Sequence, residues 1–213
     1  MKELQLKAGR EKSLKRHHPW IFSGALERVS GKPERGDTVE VRDSSGQTLA
    51  RAAYSPDSQI RARVWSFDSV EEVDAGFFRQ RLMQALALRE ALPAAKHGNA
   101  LRLVHAESDG LPGLVVDRYA DVLVVQFLAA GVERWREPIL DALAELTGCS
   151  AIYERSDAET RKLEGLEPRS GFVRGNREAS RCPIIEYGQR DADRKSTRLN
   201  SSHALLSRMP SSA

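Results

Sequence analysis

Short stretches of alternating apolar and polar residues dominate the first 70 positions of the chain. Thr38–Arg42 alternates and is followed by Asp43-Ser44-Ser45-Gly46, a turn sequence whose glycine can adopt positive φ. A second strand over Gln47–Tyr54 then completes a predicted hairpin. Ile60–Phe67 alternates again, and several strands this short favour a small β-barrel over residues 1–70.

The period changes to that of a helix near Val73. Asp74 can cap a helix, and apolar residues recur at every fourth position up to Pro93, which predicts a helix of about 18 residues. A loop is expected over residues 93–99. Strands are predicted next at 101–105, 114–119 and 122–128, where the apolar run Val122–Val125 is typical of a strand covered on both faces.

Helical spacing returns between residues 132 and 146 and predicts a second helix that ends at Gly148. Pro138 lies inside this pattern, so either the helix kinks there or its regular part begins near Glu137. A strand at 151–154 follows, and Ser156–Glu159 has capping-box spacing for a short helix through Leu163. Residues 71–165 therefore form one mixed α+β domain.

The last part of the chain has no sustained pattern. Residues 166–190 are poorly periodic and are interpreted as a linker. Residues 191–213 are predicted to be disordered, and they resemble the translation of adaptor-derived DNA at the end of an assembled fragment. We expect the natural protein to continue beyond residue 190 with a different sequence.

Composition places the protein among soluble, cytoplasmic proteins. The formal net charge is +3, but residues 1–70 carry 13 Lys and Arg against 9 Asp and Glu, so that the basic excess lies in the first domain and in the tail. The two cysteines, Cys149 and Cys182, have neither zinc-ribbon nor disulfide-framework spacing. No apolar run is long enough for a membrane span, and no signal peptide is expected.

A basic segment precedes an aromatic one near the N-terminus. Cations at 10, 12, 15 and 16 form a positive flank if the segment is a short helix, with Ser13 and Leu14 turned inward and Pro19 ending it. Such a flank neutralises phosphates, although a merely solvated helix face remains the alternative. Trp20 and Phe22 are expected to anchor the segment in the core. The predicted phosphate contacts are Arg10, Lys12, Lys15, Arg16 and His18.

A second candidate surface lies on the predicted strand over Ile60–Phe67. One of its faces carries Arg61, Arg63, Trp65 and Phe67, which can stack bases and hold phosphates. Alternatively the two aromatic residues pack beneath the following domain while the arginines stay in water. Arg61 and Arg63 are therefore added to the candidate RNA-binding residues.

Other constellations point to structure rather than chemistry. Glu107 and Asp109 lie in a Gly- and Pro-rich stretch that suits a tight turn. His17-His18 lacks further ligands at metal spacing, and neither a dinucleotide fingerprint nor a Walker loop occurs. No catalytic, cofactor-binding or metal-ligating residue is assigned to the chain.

Six motifs, in this order, resemble the large-subunit ribosomal RNA methyltransferase I family. The likeness runs from about residue 3 to about residue 188, and the motifs are specific as a set. The motifs are Gly9–Ser13, His18–Gly24, Ala53–Arg63, Glu107–Leu114, Asp117–Tyr119 and Tyr153–Asp157.

The resemblance implies S-adenosylmethionine as cofactor, a cytosine C5 of 23S rRNA as substrate, and a cytoplasmic enzyme compatible with a homodimer. It implies an N-terminal PUA domain, a central α+β domain and a C-terminal Rossmann-like methyltransferase domain. The likeness stops after Pro183–Gly188, before any glycine-rich cofactor loop or nucleophilic cysteine, so that the catalytic domain is expected to be missing.

Three functional hypotheses follow. The first is the RNA-recognition portion of a 23S rRNA (cytosine-C5) methyltransferase, inactive by itself and binding no cofactor. The alternative is a stand-alone PUA-type RNA-binding adaptor. A third is a protein-interaction module that uses the aromatic face around Trp65.

Overall fold

The computed structural model describes residues 2–176, except for the side chain of Ala94. The predictions for residues 177–190, including Cys182, and for the tail at 191–213 lie outside the described residues. The described part contains two β-sheets, each associated with a cluster of buried apolar side chains.

The first domain is built from short strands and one short helix, α1 (Lys12–Lys15), between the first two strands. Its strands are β1 (Glu3–Leu6), β2 (Trp20–Phe22), β3 (Leu26–Ser30), β4 (Thr38–Arg42), β5 (Thr48–Tyr54) and β6 (Ile60–Ser66). The sheet order is β2-β6-β5-β4-β1-β3, and only the β1/β4 pair among these neighbours is parallel. The predicted β4/β5 hairpin is confirmed.

The two end strands of this sheet, β2 and β3, are consecutive in the chain and joined by a single 3-10 turn, Ser23–Ala25. Six flat strands would place them about 24 Å apart at a strand spacing of about 4.8 Å. The four Cα–Cα steps from Phe22 to Leu26 span at most about 14 Å even when fully extended. The sheet must therefore curl round on itself, which gives the small barrel-like domain that the strand pattern predicts.

The second domain combines a five-stranded sheet with helices. Its strands are β7 (Ala100–His105), β8 (Leu114–Tyr119), β9 (Val122–Phe127), β10 (Ala151–Ser156) and β11 (Arg169–Arg174). Its helices are α2 (Ala75–Glu90), α3 (Pro93–His97), α4 (Ala130–Arg134), α5 (Arg136–Thr147) and α6 (Thr160–Leu163). The order is β11-β10-β9-β8-β7; β9 and β10 are parallel because α4 and α5 form the crossover between them.

The two domains share part of one core. Ala53 of β5 and Trp65 of β6 belong to the apolar cluster of the second domain, and Trp65 meets Phe77 and Phe78 of α2 edge to face. Trp65 is 3% exposed. The interpretation that Trp65 packs beneath the following domain is thus confirmed. The hypothesis of a protein-interaction surface around Trp65 is wrong, because its side chain is buried.

The long helix α2 follows the sequence pattern closely. The carboxylate of Asp74 accepts a hydrogen bond from the amide of Phe77 at 2.8 Å, which is the predicted cap. The loop predicted over 93–99 is wrong, because α3 occupies residues 93–97. For Pro138 the second alternative is correct: α5 begins at Arg136 and holds the proline in its first turn.

Two predictions near the end of the second domain are wrong. Ser156 does not cap a helix; it is buried in β10, and its hydroxyl accepts a hydrogen bond from the amide of Phe127 at 2.9 Å. Its side chain is thus used by the neighbouring strand, and α6 starts only at Thr160. The segment interpreted as a linker contains β11, which pairs antiparallel with β10. The second domain therefore extends at least to Arg174.

Candidate nucleic-acid interface

The basic segment is held on the first domain by one apolar side chain. After β1, a turn at Gly9 (φ +80°) brings the amide of Arg10 to the carbonyl of Lys7 at 3.0 Å. In α1 only Leu14 is buried, at 3% exposed, whereas Ser13 is exposed, contrary to prediction. The helix ends at Lys15, earlier than the proline alone would require, and Leu14 fixes the position of the segment.

His17 and His18 complete the segment in different ways. His17 adopts φ 60° and stacks its ring on Phe67 of the first domain, with centroids 4.5 Å apart. His18 is exposed, and its Nδ1 accepts a hydrogen bond from the amide of Trp20 at 3.2 Å. Across residues 2–176, no group of three or more metal-ligating side chains forms a site. The two contacts of this pair order the backbone between α1 and β2.

Four cations of the segment are exposed and have no carboxylate partner. Arg10, Lys12, Lys15 and Arg16 make neither an ion pair nor a side-chain hydrogen bond within the described residues. Most other arginines of residues 2–176 do form ion pairs. These are Arg28, Arg35, Arg42, Arg51, Arg63, Arg79, Arg81, Arg89, Arg102, Arg134, Arg136, Arg155, Arg161, Arg169 and Arg174.

Two carboxylates, Glu11 and Asp43, lie within or near the basic segment. Glu11 is the one carboxylate between Lys7 and His18. The pKa of Asp43 lies below its usual value, mainly because the hydroxyl of Ser45 donates to its carboxylate, and the charge of Lys15 adds to this lowering. Cations still outnumber carboxylates here, so the surface attracts a polyanion.

The predicted anchoring role of Trp20 and Phe22 is wrong. The two side chains are 37% and 49% exposed, whereas Ile21 between them is 3% exposed and belongs to the core. Strand alternation explains the difference, because successive side chains of β2 point to opposite faces. The exposed aromatic pair was missed as a surface feature, although period-2 alternation through this short strand would have revealed it.

The two arginines of β6 are engaged within the protein. Arg63 Nη1 donates to Glu164 Oε1 at 2.6 Å, and its Nε lies 3.9 Å from Glu107 Oε1. Arg61 Nη1 donates to the carbonyl of Pro56. Arg63 therefore differs from the four cations of the N-terminal segment: it has a carboxylate partner, and only 14% of its side chain is exposed.

A cleft of about 240 Å³ lies between α1 and β2. It brings one predicted phosphate contact, Arg10, together with the two exposed aromatic side chains. Lining residues also come from β1, α1 and the 3-10 turn. The complete lining is Leu6, Arg10, Ser13, Leu14, Trp20, Ile21, Phe22, Gly24 and Ala25.

The remaining candidate residues have structural roles. Asp109 forms a bidentate ion pair with Arg89, at 2.7 and 2.6 Å, and accepts the amide of His105. Glu107 accepts the indole N–H of Trp20 at 2.8 Å. Both carboxylates are therefore engaged in hydrogen bonds within the protein. The 3-10 helix over Ala106–Asp109 confirms the interpretation of this stretch as a turn. None of the helices in residues 2–176 is long and apolar enough to cross a membrane.

The first domain matches a known protein family. A family profile described as a PUA-like domain matches residues 4–67. Two solved structures share the fold at 20% sequence identity and cover 88% of the chain. One is a protein from Streptococcus mutans assigned as a SAM-dependent methyltransferase, with a TM-score of 0.70, of which 47% is covered. The other, assigned as a methyltransferase and solved with SAH, has a TM-score of 0.71, with 46% covered.

Sequence relatives are much closer. The ribosomal RNA large subunit methyltransferase I of Shewanella denitrificans is 50% identical over 187 residues, which cover 87% of the chain and 47% of the relative. The protein of the same description from Escherichia coli is 49% identical, with 88% and 47% covered. The chain spans about half the length of the curated relatives that it matches. The PUA-like and mixed α+β architecture predicted from the sequence is confirmed. Over the matched residues, the chain belongs to the ribosomal RNA large subunit methyltransferase I family.

Proposed function

We propose that this chain is the RNA-recognition part of a SAM-dependent 23S rRNA (cytosine-C5) methyltransferase. The first domain binds ribosomal RNA through Arg10, Lys12, Lys15, Arg16 and His18, and the second domain acts as a rigid spacer. The proposed site of action is the cytoplasm. A homodimer and a phosphate contact by Arg61 remain predictions.

The observation that carries this proposal is the set of four exposed cations without carboxylate partners on a PUA-like domain. Binding to a nucleic acid is driven by neutralising phosphates and releasing counterions. An arginine already held by a carboxylate contributes less to this, because its partner must first be displaced. Relatives that are about half identical to the chain carry ribosomal RNA in their names, which supports ribosomal RNA as the polyanion.

Methyl transfer is assigned to the half of the full-length relatives that this chain does not span. Methylation at cytosine C5 requires a thiolate, a base for the C5 proton and a bound sulfonium donor. Cys149, the one cysteine of the described residues, is partly buried directly after the C-terminal glycine of α5, and nothing assigns it as the nucleophile. We propose that the chain binds rRNA without methylating it.

The test is a titration of a fluorescent single-stranded 23S rRNA fragment with the complete chain at several salt concentrations. Lys15→Ala with Arg16→Ala is expected to weaken binding and to reduce the slope of log K against log salt by about 1.4, at about 0.7 per lost phosphate contact. The matched control, Arg79→Ala with Lys162→Ala, removes two exposed cations that are paired with Glu145 and Glu159 in the second domain. It should leave the slope unchanged.

Equal slopes for the two double variants would remove the basic segment from the proposal. Methylation of the fragment by the chain and S-adenosylmethionine alone would contradict the assignment of chemistry elsewhere. The adaptor hypothesis makes a different prediction. The reading frame that encodes the chain would then contain no methyltransferase domain, and RNA binding would not depend on one.

A further inference from the structure

We propose that the cleft between α1 and β2 binds one unpaired base of the RNA by stacking it against Trp20 and Phe22. This inference rests on the proposed function, because it assumes that the first domain meets RNA. It adds a preference that phosphate contacts alone do not give: single strands over duplexes.

The aromatic pair is fixed in place before any ligand arrives. Trp20 donates its indole N–H to Glu107 at 2.8 Å, and its ring meets the ring of His18 edge-on at 5.8 Å. The Trp20 and Phe22 ring centroids lie 6.4 Å apart at 84°. A base stacked on one ring therefore meets the other ring edge-on, in the orientation that aromatic pairs prefer.

The exposed side chains of Trp20 and Phe22 are not needed to keep β2 on the sheet. Ile21 already fills the core side of β2, and β2 is an end strand that pairs only with β6 within the described residues. Trp20 and Phe22 nevertheless present large apolar rings to water, at 37% and 49% exposed. Stacking of a base on such rings is favourable and accepts any base, since every base has a π face.

The size of the cleft suits one base. Its volume of about 240 Å³ lies below the range of about 300–1,000 Å³ of pockets that enclose drug-sized ligands. It equals roughly eight water volumes in the liquid, at about 30 Å³ each. A nucleobase fits, while its ribose and phosphate remain at the rim.

Charge at the rim favours a nucleotide over an apolar peptide. Arg10 lines the cleft and has no carboxylate partner among residues 2–176. Lys7 Nζ lies 3.4 Å from the carbonyl of Gly24, another lining residue, so a second cation borders the same opening. Both can contact the phosphates that flank a stacked base, and the hydroxyl of Ser13 is the one neutral polar side chain of the lining.

The experiment compares a short single-stranded RNA of mixed sequence with a blunt duplex of the same length, using the complete chain. Phe22→Ala is expected to weaken binding of the single strand about fivefold or more, the equivalent of about 1 kcal/mol or more per base, with an unchanged salt slope because no charge is lost. Duplex binding should stay the same. Leu88→Ala, which truncates another exposed apolar side chain in the second domain, is the control and should change neither.

A second readout is independent of affinity. Trp20 is the exposed tryptophan of the chain, whereas Trp65 is buried and Trp135 is partly buried. Saturating single-stranded RNA should quench the fluorescence of the wild type, and Trp20→Phe should abolish the quenching. Circular dichroism of each variant checks that the fold is intact.

The outcomes separate the two proposals. Salt-dependent RNA binding that is insensitive to Phe22→Ala, with no quenching through Trp20, would overturn the base site and leave the proposed function standing. Equal loss of single-strand and duplex binding in Phe22→Ala would also overturn it. Absence of binding to either RNA would remove the proposed function and the base site together.

Discussion

Arg63 of β6 and Glu164, directly after α6, join the two domains through a hydrogen-bonded ion pair of 2.6 Å. Glu164 is almost completely buried, with 2% of its side chain exposed, and its other carboxylate oxygen accepts the amide of Ala130 at 3.2 Å. Arg79 and Glu145 form a pair of the same length, but their side chains are 43% and 64% exposed. The two pairs differ mainly in burial.

We therefore expect Arg63→Ala to lower stability by about 3 kcal/mol, because it leaves a buried carboxylate without its cation. Arg79→Ala should cost much less, since its ion pair is exposed to water. Urea denaturation followed by circular dichroism measures both. Equal losses would show that burial does not distinguish the two ion pairs. Glu164→Gln with Arg63→Met should recover part of the loss.

Asp37 is a buried carboxylate that also links the domains. Its burial opposes ionisation, but hydrogen bonds from Lys2 Nζ at 2.5 Å and the amide of Glu34, together with the charge of Arg134 of α4, lower its pKa below the ordinary value. A lowered folded-state pKa means that the stabilisation is complete above the unfolded pKa of about 3.9 and is lost as the pH falls through the folded value.

Asp37→Asn is accordingly expected to be less stable than the wild type at neutral pH. The difference should begin to shrink when the pH falls below the unfolded pKa of about 3.9, where the unfolded state takes up a proton. It should be gone below the lower folded pKa, where the folded wild type has lost its carboxylate charge as well. Urea midpoints of both proteins at neutral and at acidic pH give the comparison. A difference that does not change with pH would mean that the charge of Asp37 is not what stabilises this contact.

Gly131 of α4 packs tightly against the first domain. A Cβ at this position would lie 2.5 Å from Cζ2 of Trp65 and also collide with Ala53. Alanine is favoured over glycine in helices by up to about 1 kcal/mol, but overpacking of a tight core costs about 1–3 kcal/mol. We expect the collision to dominate, because Trp65 is buried, and Gly131→Ala to lower the unfolding midpoint.

The control for this change is Gly24→Ala, since a Cβ there meets nothing within 4 Å. Its unfolding midpoint should remain close to that of the wild type. A stabilised Gly131→Ala variant would show that the helix and the first domain move apart at little cost.

Leu14 connects stability with the proposed RNA binding. It is the buried residue that holds α1, so Leu14→Ala should cost about 2–4 kcal/mol locally and release the helix without changing any charge. The affinity for single-stranded RNA should fall several-fold, as measured by anisotropy, and amide exchange in α1 should accelerate. Leu88→Ala makes the same chemical change at a side chain that is 64% exposed and should affect neither quantity. Unchanged RNA affinity in Leu14→Ala would mean that the cations act without being positioned by α1.

Local sequence patterns were sufficient to predict those helices and strands that pack one face against a core. The cap at Asp74, the apolar period of α2 and the strands β7, β8 and β9 follow from spacing alone, because these residues are placed by local rules. The termination of α5 at Gly148, which adopts φ +60°, belongs to the same class. These elements carry most of the second domain.

Tertiary contacts decided the remaining cases. Arg161 is 1% exposed and donates to Glu133 at 2.8 Å and to the carbonyl of Glu167, although a charged residue in a short polar helix is expected to face water. Ser156 is used by a neighbouring strand, and β11 is stabilised by pairing with β10 rather than by its own pattern. At the candidate site, the cations were predicted from the run of charges between Arg10 and His18, but the cleft beside them requires the fold of α1 over β2.

The shared core around Trp65 limits how the PUA-like domain can be used in protein engineering. Cutting the chain after residue 67 would retain the whole matched segment but uncover Trp65 and Ala53, and it would leave Arg63 without Glu164. A fusion that transplants this domain to confer RNA binding on another protein must therefore carry α2 and α4 with it, or replace the uncovered aromatic residue by a polar one. In this family member the PUA-like domain is not portable at the boundary that its sequence match suggests.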